Sequence, residues 1–365
     1  MKNIKILQGN VFDKIKELKD NSIDCVVTSP PYWGLRDYGT AKWQGGDINC
    51  SHSYGRNTRG GLTQFQKNNK GSFGDEAIKS GENCKLCGAK RIDKQLGLEP
   101  TYQEHIQNIV ELFRIIKPKL KDSATIWLNY GDSYATTVNG RKAKEVKNDD
   151  RAFVDKPFST IQGSIKPKDL VMIPNRIAIA LQDDGWWIRS EIIWHKPNPM
   201  PESIKDRPTS AHEKIWLITK SKKYYYDADA IREPLASTSL TRLNQPNLKN
   251  QKGSTRANGG MKSNGNMKAV RPSLGRNKRN VWTITTKPCK EAHFATFPKD
   301  LIDPCIKAGC PEGGIVLDPF GGSGTTGIVA AQNNRNAILI ELNKNYIDIA
   351  NKRIDKELGL FNEKN

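Results

Sequence analysis

From residue 235 to residue 290 the chain contains neither aspartate nor glutamate. Such a stretch has no counter-charge of its own and reads as a basic, solvated segment. Long apolar runs are missing too. No segment reaches the roughly 18 residues that a membrane-spanning helix needs, and residues 1–8 form a short apolar alternation rather than a secretory signal. The seven cysteines are an odd number, which excludes a fully paired disulfide framework, and the cytoplasm is the expected compartment. Apolar residues make up only 36% of the 365 residues, so a good part of the chain must be solvated. Cationic residues, by contrast, are abundant. Lys and Arg number 58 against 39 Asp and Glu, a net charge of +19. An excess of that size points to a polyanionic partner, of which nucleic acid is the commonest.

The patterning alternates strands with helices. Residues 4–7, 23–27, 124–128, 188–194, 214–219, 315–317 and 337–340 read as short apolar strands. An amphipathic stretch covers 12–18, and 136–166 reads as a polar loop. Helices are expected over 106–116, opened by a capping box of Thr101 and Glu104 and closed by Lys117-Pro118, and over 174–182, with a proline at its start and Gly185 past its end. Further helices cover 325–332 and 344–358. This order predicts an α/β fold with a mostly parallel, doubly wound sheet. Two segments interrupt it. Residues 40–95 are rich in Gly, Asn, Ser and Lys and read as an insertion. Residues 236–285 carry Arg242, Lys249, Lys252, Arg256, Lys262, Lys268, Arg271, Arg276, Lys278 and Arg279 among Gly, Asn and Ser, and read as a basic, flexible insertion.

Two turns carry chemistry. The first, Asp318-Pro319-Phe320-Gly321-Gly322-Ser323-Gly324-Thr325-Thr326-Gly327, follows a strand and opens a helix. Its glycines let the backbone turn sharply and approach a ligand. The spacing Gly322-x-Gly324-x-x-Gly327 also fits the dinucleotide fingerprint, so an oxidoreductase is one reading. Against it, Asp318 places a carboxylate at the mouth of the turn, which suits a cationic amino-acid moiety better than a pyrophosphate. Glu341, ending the next strand, can accept from ribose hydroxyls with either ligand. The second turn is Thr28-Ser29-Pro30-Pro31-Tyr32. Consecutive prolines fix φ and remove two backbone donors. What remains is a rigid set of acceptors beside an aromatic ring. An exocyclic amino nitrogen is a poor nucleophile because its lone pair is delocalised into the ring. Acceptance of its two N–H groups by the Ser29 hydroxyl and the Pro30 carbonyl returns electron density to nitrogen, while Tyr32 can stack on the base.

Together these motifs resemble the amino-methylating DNA methyltransferases, with the catalytic motif first and the S-adenosylmethionine (SAM) motif last, as in the permuted beta order. His293-Phe294-Ala295-Thr296-Phe297-Pro298 resembles the segment that holds the methionine end of SAM, and Trp194-His195-Lys196-Pro197-Asn198-Pro199-Met200-Pro201 also looks familial. The resemblance implies one Rossmann-like catalytic domain spanning 1–365. It implies SAM held by Asn10, Thr28, Phe297, Pro298, Asp318, Pro319, Phe320, Gly322, Ser323, Gly324, Thr325 and Glu341. Ser29, Pro30, Pro31 and Tyr32 would act on a flipped base of double-stranded DNA. Where the family usually has Asp after Gly near the first strand, Gly9 is followed here by Asn10, whose side-chain oxygen can still accept. Ser in the catalytic turn is commoner among the cytosine-N4 enzymes, so N4 is the expected target, with adenine N6 as the alternative. Methylation at cytosine C5 would need a cysteine nucleophile, and Pro288-Cys289 and Pro304-Cys305 lack its companions. A DNA-binding protein without catalysis and an RNA or protein acceptor stay open at this point, as do the recognition sequence, a cognate restriction endonuclease and the oligomeric state.

Cys84-Lys85-Leu86-Cys87 has knuckle spacing, and Cys50 and His52 lie upstream. Three thiolates and an imidazole make a closed tetrahedral set typical of structural zinc, and an apolar-poor insertion needs such a staple. The basic insertion 236–285, lying between the two motifs, is the expected DNA-recognition element.

Overall fold

The computed structural model describes residues 4–52, 83–84, 86–137, 154–243, 275–287 and 297–359. The residues 23–28 read as an almost continuous apolar run because that strand is covered on both faces. Ile23–Thr28 is buried along its whole length, with Val26 in one core and Cys25 and Val27 in the other. Around it lies an eight-stranded sheet. In chain order the strands are β1 (Ile4–Gln8), β2 (Ile23–Thr28), β3 (Leu120–Tyr130), β4 (Trp187–His195), β5 (His212–Thr219), β6 (Val281–Thr283), β7 (Ile315–Asp318) and β8 (Asn336–Glu341). Their spatial order is β1-β8-β7-β2-β3-β5-β4-β6. Every neighbouring pair is parallel except those involving β5, which runs against the rest.

Helices α1 (Val11–Lys14), α2 (Tyr102–Ile116) and α3 (Ile173–Asp183) cover one face, where Val11, Ile109, Phe113, Ile177 and Leu181 share a core with Ile126 and Leu128 of β3. Helices α4 (Lys299–Gly309) and α5 (Thr325–Gln332) cover the other, with Leu301, Ile306 and Val329 packed against Trp127. Helix α6 (Lys344–Gly359) follows β8, and its Ala350 packs on the turn before α5. The Thr101 hydroxyl caps α2 by accepting from the Glu104 N–H at 3.2 Å, as the sequence predicts. This is the mostly parallel, two-faced α/β sheet expected from the alternation. Among the described residues no helix is long and apolar enough to cross a membrane.

Several elements depart from the sequence reading, among them a helix at Ser237–Leu243 inside the segment read as flexible and a short strand at Val154–Asp155 inside the polar loop. Helix α4 holds Pro304 inside it, a residue that reads as a helix breaker. The apolar pair Val281-Trp282 builds β6 inside the segment read as flexible, and Trp282 is buried in the core. Residues 244–274 of the expected basic insertion, 53–82 and 85 of the expected zinc insertion, and 138–153 of the polar loop lie outside the described residues.

Candidate active site

Strands β2, β7 and β8 end at the same edge of the sheet, and the two motif turns leave from adjacent strands, β7 and β2. In open α/β sheets ligands bind at such carboxyl ends, where the winding reverses. Beyond β7 the chain turns through Gly322 (φ 48°) and Gly324 (φ 80°). A Cβ on Gly324 would stand 3.0 Å from that of Ala350, so both conformation and space call for glycine. Asp318 is buried, and both its oxygens are engaged. Thr28 donates at 2.7 Å, the Phe320 N–H at 3.0 Å and Thr326 at 2.6 Å. Burial nevertheless raises its pKa to about 6, because the three bonds do not replace water. Glu341 accepts from the N–H groups of Gly322 (2.9 Å) and Asn343 (2.8 Å), and burial raises its pKa too. Arg353 of α6 fastens the turn by donating to the carbonyl and hydroxyl of Ser323 and to the Thr325 hydroxyl.

The second turn is held differently. Tyr32 stacks on Tyr130 with ring centroids 4.5 Å apart. Its hydroxyl donates to Glu213 Oε2 at 2.8 Å and lies 3.3 Å from the Ser29 hydroxyl. Asn129 donates to the same Glu213 oxygen at 3.1 Å, and Lys196 pairs with the other. Behind Tyr130 is a buried relay. The Trp33 N–H donates to the Tyr130 hydroxyl (2.8 Å), so that hydroxyl's proton goes to His105 Nε2 (2.8 Å), and His105 Nδ1 then donates to Glu99 (2.8 Å). These partners hold Glu99 below the usual carboxylate range, against the effect of its burial. Glu213, Asn129, Lys196, His105 and Glu99 were not identified from the sequence. A charged residue opening the apolar run 214–219 was the available signal for Glu213. Because β5 is antiparallel, its start reaches the edge where the other strands end.

Both turns open into one cavity of about 720 Å³, within the range of small-molecule sites. Asn10, Ser29, Pro30, Pro31, Tyr32, Phe297, Asp318, Pro319, Phe320, Gly322, Ser323, Thr325 and Glu341 line it. Thr28 stands behind the wall, holding Asp318, while Pro298 precedes α4 and Gly324 precedes α5. Asn10 caps α1 by accepting from the Phe12 N–H at 2.9 Å. Residues 293–296 lie outside the described residues.

The ligand atoms of Cys50, His52, Cys84 and Cys87 all lie within 4.8 Å of one another. Cys50 Sγ and Cys84 Sγ are 3.8 Å apart, and Cys87 Sγ is 3.3 Å from His52 Nδ1. Zinc–sulfur bonds of about 2.3 Å give a tetrahedron with edges of about that length. The cluster closes a hairpin in which Lys42–Gln44 pairs with Lys90–Ile92. Of the basic insertion, Arg276 and Arg279 contact Glu233 at 3.3 and 3.2 Å.

The sheet, its winding and the cavity at its carboxyl edge define an α/β protein of the ligand-binding, doubly wound class. The family model described as DNA methylase, covering the N6 and N4 enzymes, matches residues 23–352, and the chain belongs to that family. It is 38% identical over 352 residues to Type II methyltransferase M.Cfr9I of Citrobacter freundii, covering 96% of this chain and 88% of that one. Type II methyltransferase M.SmaI of Serratia marcescens is 36% identical over 354 residues, with 97% and 91% covered. Among solved structures, the PvuII DNA methyltransferase, titled cytosine-N4-specific, superposes with a TM-score of 0.53 at 16% identity over 99% of this chain and 92% of that one, a likeness of fold. Membership of a DNA methylase family decides against the oxidoreductase that the glycine spacing also fits.

Proposed function

We propose that the enzyme moves a methyl group from SAM to the exocyclic N4 of a cytosine flipped out of duplex DNA. The observation that carries this reading is the shared cavity: the SAM-type turn and the amine-accepting turn line the same open cleft. Asp318, buried, and Glu341, half-buried, place two acids against it, and both have raised pKa values. A cationic ligand relieves that cost, and SAM is a cation that supplies a methyl group on a sulfonium leaving group. Gly322, Ser323, Thr325, Phe320 and Phe297 would line its site, with Thr28 holding Asp318 in place and Asn10 near the adenine. Ser29 and the Pro30 carbonyl would accept the amine hydrogens, and Tyr32 would orient the base. Cytosine N4 is favoured over adenine N6 by Ser29 and by the named specificity of the PvuII enzyme. Flipping costs on the order of a few kcal/mol, and cationic contacts from the 236–285 insertion would hold the duplex meanwhile. A companion endonuclease in a bacterial cytoplasm belongs with this reading, since the relatives carry Type II names.

The chemistry of the four-residue Cys/His set fits a structural zinc ion with no open position. Metal analysis of the purified protein should return one zinc per chain, and Cys84→Ser should lose it. A zinc-free wild-type protein with its hairpin intact would sink this assignment. For the activity, tritiated methyl transfer from SAM to mixed-sequence duplex DNA, followed by nucleoside mass spectrometry, should give N4-methylcytosine. N6-methyladenine would correct the base, and an unlabelled product from protein that binds SAM would overturn the proposal.

A further inference from the structure

A proton must leave the target nitrogen during methyl transfer, and Ser29 is not basic enough to keep it. The Tyr32 hydroxyl has one proton and two acceptors within reach, Glu213 Oε2 at 2.8 Å and Asn129 Oδ1 at 3.4 Å. The shorter contact, to an ionised group, takes the proton. The Ser29 hydroxyl, 3.3 Å away, is therefore the donor to Tyr32. That leaves the Ser29 lone pairs facing the cavity. The chain Ser29–Tyr32–Glu213 thus points every O–H away from the cavity and toward one carboxylate. Burial and the Glu213 charge raise the Tyr32 pKa well above its ordinary value, so Tyr32 stays protonated and can relay. Lys196 supplies the counter-charge to Glu213, and Asn129 anchors the relaying oxygen. Gly131 keeps the space clear: a Cβ there would stand 2.7 Å from the Tyr32 ring and 3.1 Å from the Glu213 carboxyl carbon.

We propose that Glu213 is the terminal proton acceptor of methyl transfer, acting through Tyr32 and Ser29. The inference rests on the reading of the enzyme as an amino methyltransferase. The amine lone pair forms the N–C bond as the C–S bond breaks and its pair stays on sulfur. The methylated nitrogen, now cationic, gives a proton to the Ser29 oxygen. Ser29 passes its own proton to Tyr32, and Tyr32 passes its own to Glu213, which ends as a neutral acid. Charge and atoms balance without another reactant. A carboxylate is base enough, because the proton comes from a cationic aromatic amine.

The test is a double-mutant cycle on single-turnover transfer, using duplexes that carry the site mapped by nucleoside analysis. Tyr32→Phe keeps the ring and removes only the relay hydroxyl; Glu213→Gln keeps the shape and removes the base. Each should lower the transfer rate by roughly 100-fold, the scale of acid–base assistance. The SAM and DNA dissociation constants should stay within about twofold. Because the relay acts as a unit, the double variant should be no slower than the worse single one. Multiplied losses, or a Tyr32→Phe rate equal to wild type, would overturn the relay. Absent transfer by the wild-type enzyme would instead count against the underlying methyltransferase reading.

Discussion

Two turns face one cavity and are held by opposite means. The turn after β7 is fixed locally: Asp318 bonds residues two and eight positions on, and Gly324 lets α6 pack close. The turn after β2 is fixed from afar, by Glu213, Asn129 and Tyr130 on β5 and β3 and by His105 on α2. The difference matches the tasks proposed for them. A turn that wraps a ligand with its backbone needs small residues and close approach, whereas one that handles protons needs oriented side chains. Thr28 ties them directly, with its hydroxyl on Asp318.

The comparison can be broken from the SAM side first. Asp318→Ala strands two buried hydroxyls and an N–H and removes the anion, a loss of roughly 3 kcal/mol. SAM affinity by titration calorimetry should weaken at least 100-fold. On the other side, His105→Ala takes from the Tyr130 hydroxyl its buried acceptor and from the Glu99 carboxylate one of its donors. Thermal unfolding should register a loss of about 2–4 kcal/mol, while SAM affinity of the folded protein stays unchanged. Gly324→Ala puts a side chain at φ 80° against Ala350, and both stability and SAM affinity should fall by about 1–2 kcal/mol. Equal effects of His105→Ala and Gly324→Ala on SAM binding would erase the distinction.

Acid sharpens it further. The folded Asp318 holds its proton up to about pH 6, above its ordinary value of 3.8. The folded state therefore binds that proton more tightly than the unfolded chain. Its stabilising contribution is present below about pH 4 and is lost as pH rises through 6. A cationic ligand needs the ionised form, so SAM affinity should be about tenfold weaker at pH 5 than at pH 7. A flat profile would mean that Asp318 does not face the cation. The smallest effect belongs to the scaffold. Thr101→Ala uncaps α2 at a cost of about 1 kcal/mol in stability and should leave transfer untouched.

The same contrast governs what the sequence discloses. Helices with local signals, such as 101–116 with its cap and apolar stripe and 325–332 with the glycine turn before it, are legible from the sequence. Helix α4 is masked by Pro304, and β6 is hidden among Gly, Asn and cations although Val281-Trp282 marks it. The glycine turn can be read residue by residue for the same local reason. Of the turn after β2, proposed as catalytic, only the face toward the cavity is legible. Glu213 lies 181 positions from Tyr32, and the reversal of β5 that delivers it is a property of the sheet.

The most direct measurement is SAM binding and methyl transfer on the same preparation of Ser29→Ala. Ser29 should matter only to the amine, so SAM should bind as in the wild type while transfer to duplex DNA falls by at least 100-fold. Full transfer by Ser29→Ala, or loss of SAM binding together with transfer, would contradict the division of labour between the two turns.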